Sequence, residues 1–227
     1  FWAPLGGMGI VGARRERASC LMLARVRAAA VLGIEAYLVD VEADLSNGLP
    51  SFATVGLPQG AVKEGRERVN AAIVNVGFTS PLKRITVNLA PADVKKDGCG
   101  FDLPIAIAIL LASGQLPAES AEGLLLLGEL GLEGDLRPVR GAISVALAAR
   151  SAGFRGLVLP AANAPEAGVV EGLEVYGAGS LTDVARHLTG TRSLPATRTD
   201  PRALLATPII DGVDFADVRG QPMAKRA

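Results

Sequence analysis

The sequence predicts an α/β (α+β) fold, in which a mixed β-sheet is packed against helices. Along the chain, segments in which apolar and polar residues alternate are followed by segments whose apolar residues recur with a helical period. Hydrophobic residues make up 49% of the chain and charged residues 20%, so there is enough apolar material for a core. Strands that alternate with helices are typical of a mixed sheet covered by helices.

The first strands are predicted on either side of a turn. Apolar and polar residues alternate over residues 34–45, around Tyr37, Val39 and Val41, which predicts a strand. Asn47-Gly48 is a turn signal, and residues 50–55 form a short following strand. We therefore expect a hairpin of these two strands.

Two helices and one strand follow. Residues 61–76 have a helical period with Val62, Val69 and Ile73 on one face, and Gly77 ends the helix. Residues 85–89 are a strand, and residues 91–100 are a polar loop. Asp102 is predicted to cap the next helix, whose first turn contains Pro104. Residues 104–112 are apolar on all sides, so this helix should be buried.

The second half of the chain repeats the alternation. Residues 124–130 and 136–139 flank the turn Glu133-Gly134 and predict a second hairpin. An Ala-rich helix over residues 141–152 ends at Gly153. Strands at 156–160 and 174–176 and a helix at 181–188 complete the domain.

Charge and cysteine content exclude several classes of protein. Lys plus Arg (23) equals Asp plus Glu (23), so no global field attracts nucleic acid or an anionic membrane. Cys20 and Cys99 are too few for a disulfide framework or a zinc site. No apolar run reaches the roughly 20 residues of a membrane span. We expect a cytoplasmic location and no membrane partner.

Composition divides the chain into four parts. Residues 1–21 are expected to be a disordered tail or upstream sequence, and residues 22–190 the folded domain. Residues 191–212 are rich in Thr, Pro, Arg and Ala, as in a linker. Residues 213–227 begin a helix at Pro222 and stop, which predicts the start of a truncated second module.

Seven segments in order resemble one family. They are Val55-Gly-Leu-Pro58, Ala61-Val-Lys-Glu-Gly-Arg-Glu-Arg-Val69, Val87-Asn-Leu-Ala-Pro-Ala-Asp93, Gly100-Phe-Asp-Leu-Pro-Ile-Ala106, Leu127-Gly-Glu-Leu130, Gly134-Asp-Leu-Arg-Pro-Val-Arg-Gly141 and Val158-Leu-Pro160. Together they resemble the ComM/YifB family of Mg-chelatase-like AAA+ proteins, and residues 214–227 look like the lead-in to its AAA+ module. The family has Ser where this chain has Gly65, which we expect on the helix surface.

The resemblance implies a fold and a function. The fold would be similar to the proteolytic domain of Lon, and the chain would be the non-catalytic N-terminal (ChlI-like) domain of the protein. The intact protein would be a hexameric AAA+ ATPase that uses ATP and Mg. Its partners would be its own AAA+ module, neighbouring subunits and, in the intact protein, DNA. ComM members are motors that promote DNA branch migration during natural transformation.

The resemblance to Lon also locates a degenerate catalytic site. Lon-like peptidases carry their nucleophilic serine in a Lys-Asp-Gly-Pro-Ser-Ala-Gly loop. Lys96-Asp97-Gly98 matches the start of this loop, which places Gly100 at the serine. The catalytic lysine of that family follows a Pro-x-Gly-Gly-Leu stretch, which resembles Pro138-Val-Arg-Gly-Ala142 and places Ile143 at the lysine. Ser–Lys chemistry needs a hydroxyl and an amine, and neither residue has one. We expect no catalytic residue in this chain.

Nucleotide binding is incomplete in this chain. The sequence contains no Gly-x-x-x-x-Gly-Lys-Ser/Thr loop to hold phosphates. Val218, Gly220 and Gln221 resemble the strip that lines the adenine pocket of AAA+ proteins. We expect no cofactor and no metal in this chain.

Other chemical signals have ordinary structural explanations. Cys99 would need a base, and the sole histidine, His187, is expected on a helix surface. The loop with Asp93, Lys95, Lys96 and Asp97 either binds an anion or is a solvated connection. Two basic groups could contact DNA phosphates. They are the helix face Lys63, Arg66 and Arg68, and a rim of Lys83, Arg84, Arg137 and Arg140.

An alternative function remains open from the sequence. The chain could be a Lon-like peptidase or a Mg-chelatase-type component. The missing serine and lysine argue against the peptidase, and the lack of an acidic or His cluster argues against chelation.

Overall fold

The computed structural model describes residues 23–96 and 98–202. Its strands are β1 (Leu23–Leu32), β2 (Glu35–Ser46), β3 (Ser51–Val55), β4 (Arg84–Ala90), β5 (Leu124–Leu126), β6 (Glu129–Leu130), β7 (Leu136–Arg137), β8 (Gly156–Pro160), β9 (Glu174–Ala178) and β10 (Ala196–Thr197). Its helices are α1 (Gly60–Asn75), α2 (Asp102–Ala112), α3 (Ala142–Ser151), α4 (Ala164–Ala167) and α5 (Leu181–Leu188).

The predicted mixed α/β fold is confirmed. Eight strands form one sheet in the order β10-β9-β8-β5-β1-β2-β4-β3, and β6 pairs with β7 separately. Strands β2 and β10 run against their neighbours, and the other six strands of the large sheet are parallel to one another. The sheet is therefore mixed, with most strands ending at the same edge.

The predicted first hairpin is wrong. Strand β2 pairs with β1, which sequence patterning missed, around a two-residue turn at Gly33-Ile34. Strand β3 does not pair with β2 but lies parallel to β4. Helix α1 connects β3 to β4, and a helical crossover returns the chain in the same direction, which makes parallel neighbours.

The second predicted hairpin is only partly correct. Strand β5 belongs to the large sheet, where it runs parallel to β1 and β8. Only the short strands β6 and β7 pair across the predicted turn. The apolar run at residues 124–130 thus contains two strands that belong to different sheets.

Helices cover both faces of the large sheet. Buried residues of α1, α2 and α5 share one core cluster, and those of α3 and α4 share the other. Every residue of α2 is buried, as predicted from its apolar sequence. The fold therefore has three layers, with the sheet in the middle.

Two expectations about helix positions are wrong. Gly65 is buried in α1 rather than on its surface. A Cβ added there would lie 2.4 Å from Asp102 Oδ1, so only glycine fits without rearrangement. Asp102 does not cap α2, because the cap position is Phe101 and Asp102 is the first helical residue. Its carboxylate is turned instead toward α1.

The sheet continues into the range expected to be a linker. Strand β10 pairs with β9, and the Thr199 N–H donates to the Gly168 carbonyl at 3.0 Å. The expected tail at residues 1–21 and the expected module start at 213–227 lie outside the described residues. No helix among the described residues is long and apolar enough to cross a bilayer.

Candidate functional site

An open cleft lies where β1 and β5 end at one edge of the sheet. Its volume is about 620 Å³. The described residues that line it are Ala29, Ala30, Val31, Gly33, Gly98, Gly100, Phe101, Leu127, Glu129, Pro138, Val139 and Arg140. In α/β sheets, ligands bind at the carboxyl ends of the strands, so this cleft is the candidate functional site.

Backbone hydrogen bonds hold the two walls of the cleft in place. The Gly128 N–H donates to the Gly100 carbonyl at 2.9 Å, and the Leu103 N–H donates to the Gly128 carbonyl at 3.0 Å. On the opposite wall, the Asn163 side chain accepts from the Val139 N–H at 2.9 Å. The same amide donates to the Val139 carbonyl at 2.8 Å. Both walls are therefore built from ordered loops.

Gly100 lies in this cleft, and its immediate surroundings are apolar. A Cβ added to Gly100 would lie 2.8 Å from Leu127 Cδ1. Leu127 is itself buried, with 4% of its surface exposed. A side chain at this position would therefore require the end of the Leu127 side chain to shift.

Ile143 lies in the first turn of α3 and is 39% exposed. Its backbone N–H donates to Glu166 Oε1 at 3.3 Å. Among the described residues, Gly100 lines the cleft and Ile143 does not. Gly100 and Ile143, which were expected at the positions of the catalytic serine and lysine, therefore do not line the same cleft.

The described residues that line the cleft offer groups for binding. Among the described lining residues, only Glu129 and Arg140 carry ionisable side chains, and none carries a hydroxyl, thiol, imidazole or amine. Nucleophilic catalysis needs such a group next to a base. The cleft can hold a ligand through apolar contacts, backbone groups and two opposite charges.

A buried ion pair that the sequence did not reveal links α1 to α2. Arg68 Nε and Nη2 donate to the two oxygens of Asp102 at 2.7 and 3.1 Å. The Leu130 N–H also donates to Asp102, at 3.3 Å. Burial raises the pKa of Asp102 to about 6, and the hydrogen bonds and charge of Arg68 oppose that rise. The pair fixes the start of α2 behind the cleft wall.

The side chain of Lys96 is not available to bind an anion, which was one of the two alternatives for its loop. Its side chain is fully buried, and Nζ donates to the Pro91 carbonyl. Burial lowers the pKa of Lys96, and the charge of Asp93 opposes this. Its backbone binds the segment after β3, because the Gln59 N–H donates to the Lys96 carbonyl at 2.9 Å. Lys95 is exposed, and Asp97 lies outside the described residues.

The two groups of basic residues considered as DNA contacts do not form basic surfaces among the described residues. Arg68 is bound to Asp102, and Arg66 pairs with Glu67 on the same helix, which leaves Lys63. Arg84 begins β4, at the opposite end of that strand from the cleft, whereas Arg140 lines the cleft. Arg84 and Arg140 therefore do not belong to one rim.

His187 is half-buried rather than a simple surface residue. Its ring lies 4.5 Å from the Tyr176 ring, and its Nδ1 accepts from the Leu194 N–H at 3.1 Å. Burial, together with the charge of Arg155, lowers the pKa of His187. Within the described residues, no group of three or more His, Cys, Asp or Glu could hold a metal. The side chain of Cys99 and the strip Val218, Gly220 and Gln221 lie outside the described part.

Comparison with known proteins gives consistent matches. The family model described as subunit ChlI of Mg-chelatase matches residues 41–163. Competence protein ComM of Haemophilus influenzae is 45% identical over 208 residues, which cover 91% of this chain and 41% of that protein. The uncharacterized protein YifB of Escherichia coli is 42% identical over 206 residues, 91% of this chain and 40% of that protein. DNA repair protein RadA of Escherichia coli is 28% identical over 156 residues, 66% of this chain and 32% of that protein.

These matches extend over nearly the whole chain but only part of each relative. The chain spans about two-fifths of the length of ComM and YifB. The family model covers more than half of the chain, including β4, α2 and both walls of the cleft. The chain belongs to the ComM/YifB family of Mg-chelatase-like AAA+ proteins and carries its ChlI-type domain.

Proposed function

We propose that this chain is the non-catalytic N-terminal domain of a ComM/YifB-type AAA+ ATPase. The intact protein is then an ATP-dependent motor for DNA branch migration in natural transformation and recombination. The observation that supports this most is the 45% identity to competence protein ComM over 91% of the chain. The weaker similarity to DNA repair protein RadA also supports a function on DNA.

The cleft supports a role without catalysis in this domain. Gly100 has no side chain, a Cβ there would lie 2.8 Å from Leu127 Cδ1, and no described lining residue offers a nucleophile. Among the described lining residues, the peptidase alternative therefore finds no catalytic group. In the proposed function, the domain serves assembly of the motor or its engagement with DNA.

Energy conversion is assigned to the part of the protein beyond this chain. ATP and Mg would be held by the AAA+ module of a cytoplasmic hexamer, because phosphate binding needs a loop that this sequence lacks. Val218, Gly220 and Gln221 would contribute at most contacts to adenine. Such contacts leave the triphosphate charge unmatched.

The test compares this chain with the longer protein that continues through the AAA+ module. We expect no ATP hydrolysis and weak binding of branched DNA by the 227-residue chain, because its net charge of zero releases few counterions. We expect the longer protein to hydrolyse ATP and to move DNA branches. ATP turnover by the short chain, or a longer protein without turnover, would show that the proposal is wrong.

A second candidate is a Mg-chelatase-type component. It is favoured by one finding, the match to the model described as subunit ChlI of Mg-chelatase. ATP-dependent insertion of Mg into a tetrapyrrole by the longer protein, without stimulation of its ATPase by branched DNA, would favour this candidate over the motor.

A further inference from the structure

A second pocket lies beside the end of α5 and shares no lining residue with the cleft. Its volume is about 330 Å³. Two leucines and one glycine form the apolar part of its described lining, and the polar part consists of Ser120, Arg155, Tyr176, His187 and Thr189. None of the described lining residues is an acid, so the pocket offers the positive charge of Arg155 without a carboxylate beside it.

Two of the hydroxyl groups in this pocket are already used by the protein. The Tyr176 hydroxyl donates to Glu174 Oε2 at 2.9 Å. The Thr189 hydroxyl donates to the Arg186 carbonyl at 3.2 Å. Because a hydroxyl has a single hydrogen to donate, neither can also donate to a ligand. Donors for a ligand must therefore come from the other three polar residues.

The ring of His187 is arranged so that Nε2 is a donor. Its Nδ1 accepts from the Leu194 N–H at 3.1 Å, so the neutral ring carries its hydrogen on Nε2. The Tyr176 ring lies 4.5 Å away and packs against the imidazole. The hydrogen bonds formed by the described residues leave Nε2 without an acceptor. A ligand in the pocket can supply that acceptor.

Arg155 and Ser120 also have donors that the described protein leaves unused. Arg155 forms no ion pair within the described ranges, and its hydrogen bond to the Glu122 carbonyl is long, at 3.4 Å. Ser120 Oγ is buried and has no hydrogen-bond partner in the described part of the chain. Buried polar groups are nearly always paired, so an unpaired one points to a partner that the protein alone does not supply.

Negative charges near the pocket do not face it. The acids Glu119, Glu122 and Glu174 are close to lining residues in sequence or in space, but none of them lines the pocket. The end of α5 carries a negative partial charge. However, the carbonyls of residues 185–187 each accept a hydrogen bond from a following N–H. A ligand in the pocket therefore meets the charge of Arg155 first.

We propose that this pocket binds the phosphate group of a small phosphate monoester. Arg155, His187 Nε2 and the Ser120 hydroxyl donate to its oxygens, and rotation about the Cα–Cβ bond turns that hydroxyl toward the pocket. Charge-assisted hydrogen bonds from arginine are the strongest of these contacts. The phosphate backbone of a nucleic acid is bound by several cations at once, whereas the described lining holds one arginine.

This inference goes beyond the proposed function and depends on neither ATP hydrolysis nor DNA. His187 is the sole histidine, so one set of imidazole NMR signals reports on the pocket. The 227-residue chain is titrated with methyl phosphate at constant ionic strength. We expect a saturable shift of these signals, and about tenfold weaker binding of dimethyl phosphate, which carries less charge. No shift with methyl phosphate, or equal binding of dimethyl phosphate, would overturn the proposal.

The pKa of His187 gives a second reading of the same site. Sulfate is a suitable probe because its charge stays constant over the range in which the imidazole titrates. We expect saturating sulfate to raise the pKa of His187, since a nearby anion stabilises the imidazolium. Burial and the charge of Arg155 lower this pKa in the free protein, and the Tyr176 hydroxyl against the ring is bound to Glu174. An unchanged pKa would contradict an anion at this site.

Variants of two arginines separate a local contact from a general effect of charge. Arg155→Gln should weaken methyl phosphate about tenfold. Arg150→Gln is the matched control, because Arg150 is exposed in α3, does not line the pocket and loses the same charge. It should change affinity less than about twofold. Equal weakening by both variants would show that no contact with Arg155 is made.

Ser120→Ala tests the buried hydroxyl. The hydroxyl has no partner in the described protein, so its removal should not lower the midpoint of thermal unfolding. It should nevertheless weaken methyl phosphate about threefold, because one hydrogen bond to the ligand is lost. Unchanged affinity would remove Ser120 from the site and with it the proposed set of three donors. None of these results bears on whether the longer protein hydrolyses ATP.

Discussion

At the scale of single residues, packing against Leu127 disfavours a side chain at position 100, and glycine itself supplies no catalytic group. Gly100→Ser would place its Cβ 2.8 Å from Leu127 Cδ1, so the end of the Leu127 side chain would have to shift. We expect the variant to lose about 1–2 kcal/mol of unfolding free energy, as overpacked cores do. Chemical denaturation measures this loss. Even with Ile143→Lys added, a serine-directed covalent probe should not label the protein.

Gly60→Ser is the control for the change at Gly100. Nothing lies within 4 Å of a Cβ added to Gly60, so that variant should unfold like the wild type. If Gly100→Ser also kept full stability, the side chain of Leu127 would be free to move away from position 100. Covalent labelling of Ser at position 100 would reopen the peptidase alternative.

Asp102 makes stability depend on pH in a direction that is unusual for a carboxylate in an ion pair. Its folded pKa of about 6 lies above that of an exposed aspartate, near 4. The folded state then holds the proton more tightly than the unfolded state. The resulting stability is present below about pH 4 and is lost as the pH rises through about 6.

Asp102→Asn removes this titration. We expect the difference in unfolding free energy, wild type minus variant, to decrease as the pH rises from 4 to 7. Urea denaturation at several pH values measures the difference. Glu64→Gln, which removes an exposed carboxylate from the same helix as Arg68, is the control for lost negative charge. A difference that rises with pH would mean that the attraction of Arg68 outweighs burial.

At the scale of elements, β10 joins a segment of linker-like composition to the sheet. Leu194 packs against the core, and its N–H donates to His187 Nδ1. A chain ending at Gly190 loses these contacts, whereas one ending at Arg202 keeps them. We expect the shorter chain to be less stable by about 2 kcal/mol, as for one partly buried leucine and a few hydrogen bonds. Thermal unfolding of both chains checks this, and equal midpoints would mean that β10 adds no stability.

Sequence patterning located elements better than it paired them. The periodicity of residues 61–76 and 181–188 predicted α1 and α5, because each helix buries one face. Strand β1 was missed because its centre is Ala28-Ala29-Ala30, and alanine is a poor signal for a strand. Its small side chains fit where helices cover both faces. The sequence does not show that helices cover both faces of β1, so it does not show why small side chains are needed there.

At the scale of the whole molecule, the site was only partly predictable. The resemblance to Lon identified Gly100, which the structure places in the cleft. The pairing of Arg68 with Asp102 joins residues 34 positions apart, and no local pattern encodes such a contact. Likewise, the burial of Lys96 depends on how its loop meets the end of β3. Helix and strand periods report which face is buried but not which distant segment covers it.

The arrangement of the strands also sets an order in which a growing chain can build its sheet. The β1–β2 hairpin joins residues close in sequence, so it can close as soon as both strands have been synthesised. Outward from β1, the next strands are β5, β8, β9 and β10, which is also the order in which they leave the ribosome. That half of the sheet can grow by adding each new strand to a finished edge. On the other half, β3 has to wait, because β4, the strand that it joins, is made after it.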